Sequence, residues 1–412
     1  MKLKELIKIN SDYRDLKDKR NKTIGSILKH YRKKRNLTLK EACKGNVSIS
    51  YLSKVENNII TPNNNTVLML KELLEIPDSE FQQEKKECPY INEILKKEYV
   101  PKKLLISYQQ RNDYEAKLVR FMYEVLNKED YDASKQIAND LKEYYPFFED
   151  DELAFFFYGT LKLNFLNERY FTVIEIYKEI KLLYDNPLIR IKAMELVLKS
   201  LYKLGLYNEA LTKYEYLNNR SYIYGSLTNI EKLKHGLIYE KAKLTNVEEQ
   251  INEIEIYNLD FNINLIKFNQ QFYYNKNYRK ALKYIANIKN DKDYFYLMYL
   301  ITLDKLNEKD QLKRALFIDD IKYFKQSYQY IIKYLKEKHL KDKIDNDTIM
   351  EMKFFNIITQ DYYLLKYVYE ELINYYNKNH KYKSSSNVYE KLLNFEKKKA
   401  SIMLCHNWCS MI

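Results

Sequence analysis

Glycine and proline are nearly absent from this 412-residue chain, with 6 of each. Sheets and loop-rich folds use both residues to turn the chain, so their shortage favours helices joined by short polar turns. Cysteine is as scarce. The four thiols, Cys43, Cys88, Cys405 and Cys409, are scattered along the chain and exclude the disulfide framework of a small secreted domain. Long apolar runs are also missing, and no stretch approaches the roughly 18 uncharged apolar residues of a bilayer span. The opening MKLKELIKIN carries no apolar signal-peptide core. The expectation is a cytoplasmic protein with reduced thiols and no membrane partner.

Chemistry-bearing clusters are sparse too. Six glycines leave no phosphate-cradling loop, and His30, His235, His339, His380 and His406 are dispersed. Cys405, His406 and Cys409 offer three zinc-type ligands near Trp408 but lack a fourth, and their apolar flanks read as a packed terminal helix. Carboxylate pairs such as Glu370-Glu371 fall on charged helix faces, where solvation is the default. The sequence therefore predicts a non-enzyme with no cofactor and no metal.

Hydrophobic residues make up 46% of the chain and charged residues 31%, the balance of a globular protein. The net charge of +13 is concentrated at one end. Residues 1–56 hold 16 Lys/Arg against 6 Asp/Glu, or +10, which leaves +3 for the remainder. Such a field marks a polyanion-binding module on a nearly neutral body; a solvated lysine-rich tail is the plainer alternative.

From Ile24 to about Phe81 the pattern is one of four or five short helices. Ile24, Ile27, Leu28 and Tyr31 fall at helical spacing ahead of the basic run Arg32-Lys33-Lys34-Arg35. Thr38 with Glu41 forms a capping box for a short helix from Leu39 to Lys44, and Gly45-Asn46 supplies a turn. Ser48 caps a third helix from Ile49 to Asn57, with Leu52 and Val55 turned inward. Thr61-Pro62 opens the next element, whose core stripe is Val67, Leu70, Leu73 and Leu74.

Two short helices across a tight turn behind a basic helix form a helix-turn-helix. The segment RKKRNLTLKEACKGNVSISYLSKVENN resembles the Xre/Cro-type family, and within it the Rgg-type regulators. The resemblance implies that Ile49, Ser50 and Lys54 face DNA base edges with Tyr51 nearby. It also implies that Thr38 and Lys40 meet phosphates, with Ser48 at the start of the same contact face. Positions 50 and 54 lie one turn apart, opposite Leu52 and Val55, and lysine can donate to guanine acceptors. Arg32, Lys33, Lys34 and Arg35 add sequence-independent, salt-sensitive affinity.

Past residue 110 a motif recurs: a polar turn, an aromatic, then an amphipathic run. It occurs at Tyr131, Tyr170, Tyr207, Tyr278 and Tyr382, separated by 39, 37, 71 and 104 residues, with degenerate copies near Asn246-Val247 and Asp310-Gln311. Gaps near one, two and three periods of roughly 35 match the tetratricopeptide (TPR) length. The array resembles a TPR-like right-handed α-solenoid, and the fold class is all-α. On that pattern the first helices turn a set of lysines and aromatics toward a concave groove. They are Tyr158, Lys162 and Phe165; Lys192, Glu195, Lys199, Tyr202 and Lys203; Lys232, His235 and Tyr239; and Gln270 and Tyr273. Amines and aromatic faces suit an extended peptide, although these residue types are common throughout the chain.

The expected organisation is an N-terminal extension (1–22), a DNA-binding domain (23–82), a linker helix (83–110), a TPR-like ligand-sensing and dimerisation domain (111–395) and a C-terminal segment (396–412). This layout resembles the peptide-pheromone receptors of Gram-positive bacteria and their phages, the Rgg, PlcR and arbitrium-receptor group. The resemblance implies a homodimer on an inverted repeat of double-stranded DNA, switched by a short linear peptide in a quorum-sensing or lysis-lysogeny setting. Two alternatives stay open: an Xre-type repressor controlled by a protein partner, and a TPR scaffold that does not bind DNA.

Overall fold

The computed structural model describes residues 3–404 apart from 21–23, 36, 44, 46, 58, 61, 77–87, 112, 181–182, 184–185, 207, 211, 214–262, 291–292, 318–323 and 342. The protein is all-helical, with no strand among the described residues, and no helix there is long and apolar enough to cross a membrane. The chain opens with α1 (Leu3–Arg20), α2 (Ile24–Lys34), α3 (Leu39–Cys43), α4 (Ile49–Glu56) and α5 (Asn64–Leu73). Then come α6 (Pro89–Lys97), α7 (Lys102–Gln109), α8 (Tyr114–Tyr123), α9 (Tyr131–Leu141), α10 (Asp150–Leu166), α11 (Tyr170–Glu179) and α12 (Pro187–Lys203). Beyond 262 lie α13 (Ile263–Asn269), α14 (Tyr278–Ile288), α15 (Asp293–Leu306), α16 (Lys309–Leu316) and α17 (Gln326–Leu340). The last are α18 (Asn346–Lys353), α19 (Phe355–Ile358), α20 (Tyr362–Lys378) and α21 (Tyr382–Leu404).

The recurring tyrosine turn has a common backbone. Tyr131, Tyr170, Tyr278 and Tyr382 each begin a helix, and two residues earlier stand Glu129, Glu168, Lys276 and His380, all left-handed with φ of 52–57°. Gly205 (φ 73°) and Asn307 (φ 58°) occupy the matching places before Tyr207 and Lys309. In four of these turns the next residue donates its N–H five residues back: Arg169 to Asn164, Leu206 to Leu201, Glu308 to Leu303 and Lys381 to Tyr376, at 2.8–3.1 Å. That closure satisfies carbonyls left open at a helix end. Before Asp130 and Asn277 a single π-helical turn intervenes, and the bond reaches six residues back, to Glu124 and Gln271. The new helix is then capped, for example by Asp130 accepting from the Ala133 N–H (3.0 Å) and Asn277 from the Lys280 N–H (3.1 Å).

Successive helices pack on their chain neighbours: α8 on α9, α10 on α11 and α12, α13 on α14, α14 on α15, α16 on α17, α20 on α21. Where α10 crosses α8, a Cβ on Gly159 would run into the buried Phe121 ring and sit 2.7 Å from Met122 Sδ, so any larger residue would force those side chains to move. One large apolar cluster runs from Leu6 to Ala210 and a second from Leu265 to Val388. The halves meet through the segment before α20. The Gln360 N–H donates to Glu168 O (3.0 Å), the Phe171 N–H to Gln360 Oε1 (2.7 Å), and Lys203 Nζ to Asp361 Oδ2 (3.0 Å).

One segment differs from the sequence expectation, and another adds to it. The stretch expected as one linker helix holds two, α6 and α7. The chain breaks at Glu98 (φ 59°) and resumes after Pro101, whose ring disfavours helical backbone in the residue before it. The N-terminal extension forms α1. Leu6, Ile9 and Tyr13 of α1 are buried in the first cluster, against α11, and the Tyr13 hydroxyl donates to Phe148 O (3.1 Å) and Asp150 Oδ1 (2.9 Å).

Candidate functional site

The helices α2 to α5 enclose an apolar core of their own, built on Ile27, Leu28, Ala42, Leu52, Val55, Leu70 and Leu74. Local polar chemistry fixes the two short helices within it. The Thr38 N–H donates to Glu41 Oε2 (2.7 Å) and the Glu41 N–H to Thr38 Oγ1 (3.3 Å), a reciprocal capping box that holds the Glu41 carboxyl below its usual range. Ser48 Oγ accepts from the Tyr51 N–H at 3.1 Å and starts α4. Between them Gly45 turns the chain with φ of 79°, and nothing lies within 4 Å of where its Cβ would be, so backbone handedness alone demands glycine. Asn63, rather than Thr61-Pro62, starts α5, its Oδ1 accepting from the Thr66 N–H at 2.8 Å.

These constraints give α4 two faces. Leu52 and Val55 are fully buried, whereas Ile49 is 47% exposed and Ser50 and Lys54 also face solvent. Thr38, Lys40 and Ser48 are exposed, and Tyr51 is half-buried. The basic run divides. Arg32 turns inward, donating from Nε and Nη2 to Glu56 (2.6 and 2.7 Å) and from Nη1 to Leu37 O (2.8 Å). With side-chain exposures of 11% and 3%, Arg32 and Glu56 form an internal brace between α2 and α4. Three of its five donors are thereby committed within the domain. Lys33 is exposed, Arg35 is exposed and reaches Glu75, and Lys34 lies in α2 with its side chain outside the described residues.

A second cluster forms where α6 meets α10 and α12. Tyr158, Lys192 and Glu195 are buried there, Lys162 is half-buried and Lys199 is exposed. Glu98, at the end of α6, bonds Lys192 and also feels Lys199 and Lys162. Burial raises the Glu195 carboxyl, against the opposing pull of Lys192 and Lys199. Burial also lowers the Lys162 ammonium. Phe165 stacks edge-on against Tyr170 (5.5 Å), with Lys162 Nζ 6.0 Å from its ring.

The other expected groove residues sit apart from that cluster. Tyr202 is buried. Lys203 and Tyr273 come together at the meeting of the halves: Lys203 bonds Asp361, and the Tyr273 ring lies 4.4 Å from Tyr363 with its hydroxyl 3.3 Å from Tyr294. Gln270 is buried close by in sequence. Lys232, His235 and Tyr239 lie outside the described residues, as do Cys405, His406 and Cys409. Glu98, Glu56 and Asp361 were not anticipated, since each acts on a partner 24 to 158 residues away. No protein-family model matches this chain, and no curated protein matches it either.

Proposed function

We propose that the protein is a dimeric DNA-binding transcriptional regulator resembling the Xre-type peptide-pheromone receptors. Helices α2 to α5 act as a helix-turn-helix head, and the helices from α8 onward act as a TPR-like array that takes a short signalling peptide. The observation that carries this reading is the exposed Ile49, Ser50 and Lys54 face of α4, held rigid by the Ser48 cap and the Arg32–Glu56 brace. A short helix with an exposed polar and cationic face, beside exposed Lys33, Arg35 and Lys40, is suited to lie in a major groove. Two heads would read half-sites about 34 Å apart, and the peptide would favour one arrangement of the array over the other.

The test is a gel shift on duplex DNA at several salt concentrations, with sites selected from a random pool. Wild type should bind at low salt and weaken as salt rises. Lys54→Ala should lose on the order of 1–3 kcal/mol on the selected site and little on random duplex. No shift at low salt would remove the reading. An equal loss on both duplexes would move Lys54 from base contact to backbone contact.

A further inference from the structure

Building on the peptide-receptor reading, we propose that Glu98 is a built-in substitute for a ligand carboxylate. It occupies the lysine site between α10 and α12 until an acidic group of the peptide replaces it and frees α6.

Glu98 closes α6 in the left-handed region (φ 59°, ψ 16°), which turns its side chain back toward the helices α6 packs on. From there its carboxylate reaches Lys192, 94 residues further along, whose side chain is 3% exposed while that of Glu98 is 47% exposed. The carboxylate can therefore leave to water, but the ammonium cannot follow it. With Glu98 gone, buried Lys192 keeps only Glu195, 3.5 Å away and without a hydrogen bond from it, so a second anion at this place is favoured.

Charge balance identifies the class of replacement. Three lysines, Lys162, Lys192 and Lys199, converge on Glu98 and Glu195. Glu195 is a poor substitute for Glu98. Its Oε1 stands 3.5 Å from Lys192 Nζ and accepts no hydrogen bond. With Glu98 withdrawn, the three lysines keep Glu195 and Glu129, the latter 4.0 Å from Lys162 Nζ, so the site is one carboxylate short, and exposed Lys199 gives a ligand a way in. A peptide carboxylate, terminal or side-chain, has the charge and hydrogen-bonding geometry to fill it. The linkage to function runs through α6. It is the first described helix after the DNA-binding head, and it packs on both α10 and α12.

The test uses the full chain and three pools of random hexapeptides: free C-terminus without acidic residues, amidated C-terminus with one fixed Glu, and amidated without acidic residues. Protection of Lys162 and Lys199 from an amine-acetylating reagent is read by mass spectrometry, and exchange of the 89–98 amides is followed in parallel. A carboxylate pool should protect wild type and speed exchange in α6, and the pool that does so identifies the source of the carboxylate. Glu98→Gln should need about tenfold less of that pool, because no internal carboxylate competes. Its α6 should already exchange quickly without peptide. If the neutral pool protects as well, or Glu98→Gln gains no affinity and keeps α6 slow, the proposal falls while peptide binding stands. Protection of neither protein by any pool would overturn both.

Discussion

Among the described residues, Asp304 on α15 is a buried charge held by several partners at once. It accepts from Lys338 Nζ (2.9 and 3.0 Å) and the Tyr367 hydroxyl (3.1 Å), with His339 Nε2 at 2.6 Å. Lys338 also bonds Glu371 (2.7 Å), which accepts from the Tyr334 hydroxyl (3.1 Å). Burial works against the charge of Asp304, yet His339 and Lys338 prevail and hold its carboxyl below the ordinary range. Asp304→Asn leaves Lys338 with one carboxylate fewer and should cost on the order of 3 kcal/mol at pH 7 by chemical denaturation. The folded carboxyl titrates below the unfolded one. Its stabilisation is therefore complete above about pH 4 and is lost as pH falls through the folded value. The gap between wild type and variant should narrow below pH 4; a gap of constant size down to pH 2 refutes the pairing argument.

At the level of elements, the repeating unit is a turn chemistry more than a consensus of side chains. Glu129, Glu168, Lys276 and His380 adopt the backbone that glycine adopts at Gly205. Replacing exposed Lys276 with Gly should raise stability by about 1 kcal/mol, measured as an upward shift in Tm, because the left-handed penalty disappears. A fall in Tm would mean that the Lys276 side chain contributes more than its backbone costs. The helix starts were legible in the sequence: the tyrosine spacing marked the first residues of α9, α11, α14 and α21. The left-handed turns before them were not, since Glu, Lys and His carry no signal of that backbone. In the head, Thr38, Glu41 and Ser48 could be read because caps are local. Arg32 could not, because its orientation follows from the packing of α2 on α4, which brings Glu56 within reach across 24 residues. The same holds for Glu98, whose partner is set by where α6 docks.

At the scale of the whole molecule, the described residues of the two apolar clusters meet around the start of α20 and at α21. Phe395 of α21 borders both, packing edge-on against Phe171 (5.2 Å) and stacked with Tyr362 (6.3 Å). Phe395→Ala should cost roughly 2–3 kcal/mol and split the calorimetric unfolding of wild type into two resolved transitions. A variant that still melts in one transition would show that the backbone bonds at Gln360 suffice. The placement of α1 bears on how the head moves. The four-helix domain of α2 to α5 follows α1 and precedes α6, and both of those helices are bedded in the first apolar cluster. A domain spliced in at both ends swings like a bucket on its handle, not like a flail on a chain. Any shift of one root is then felt as a tilt about the other.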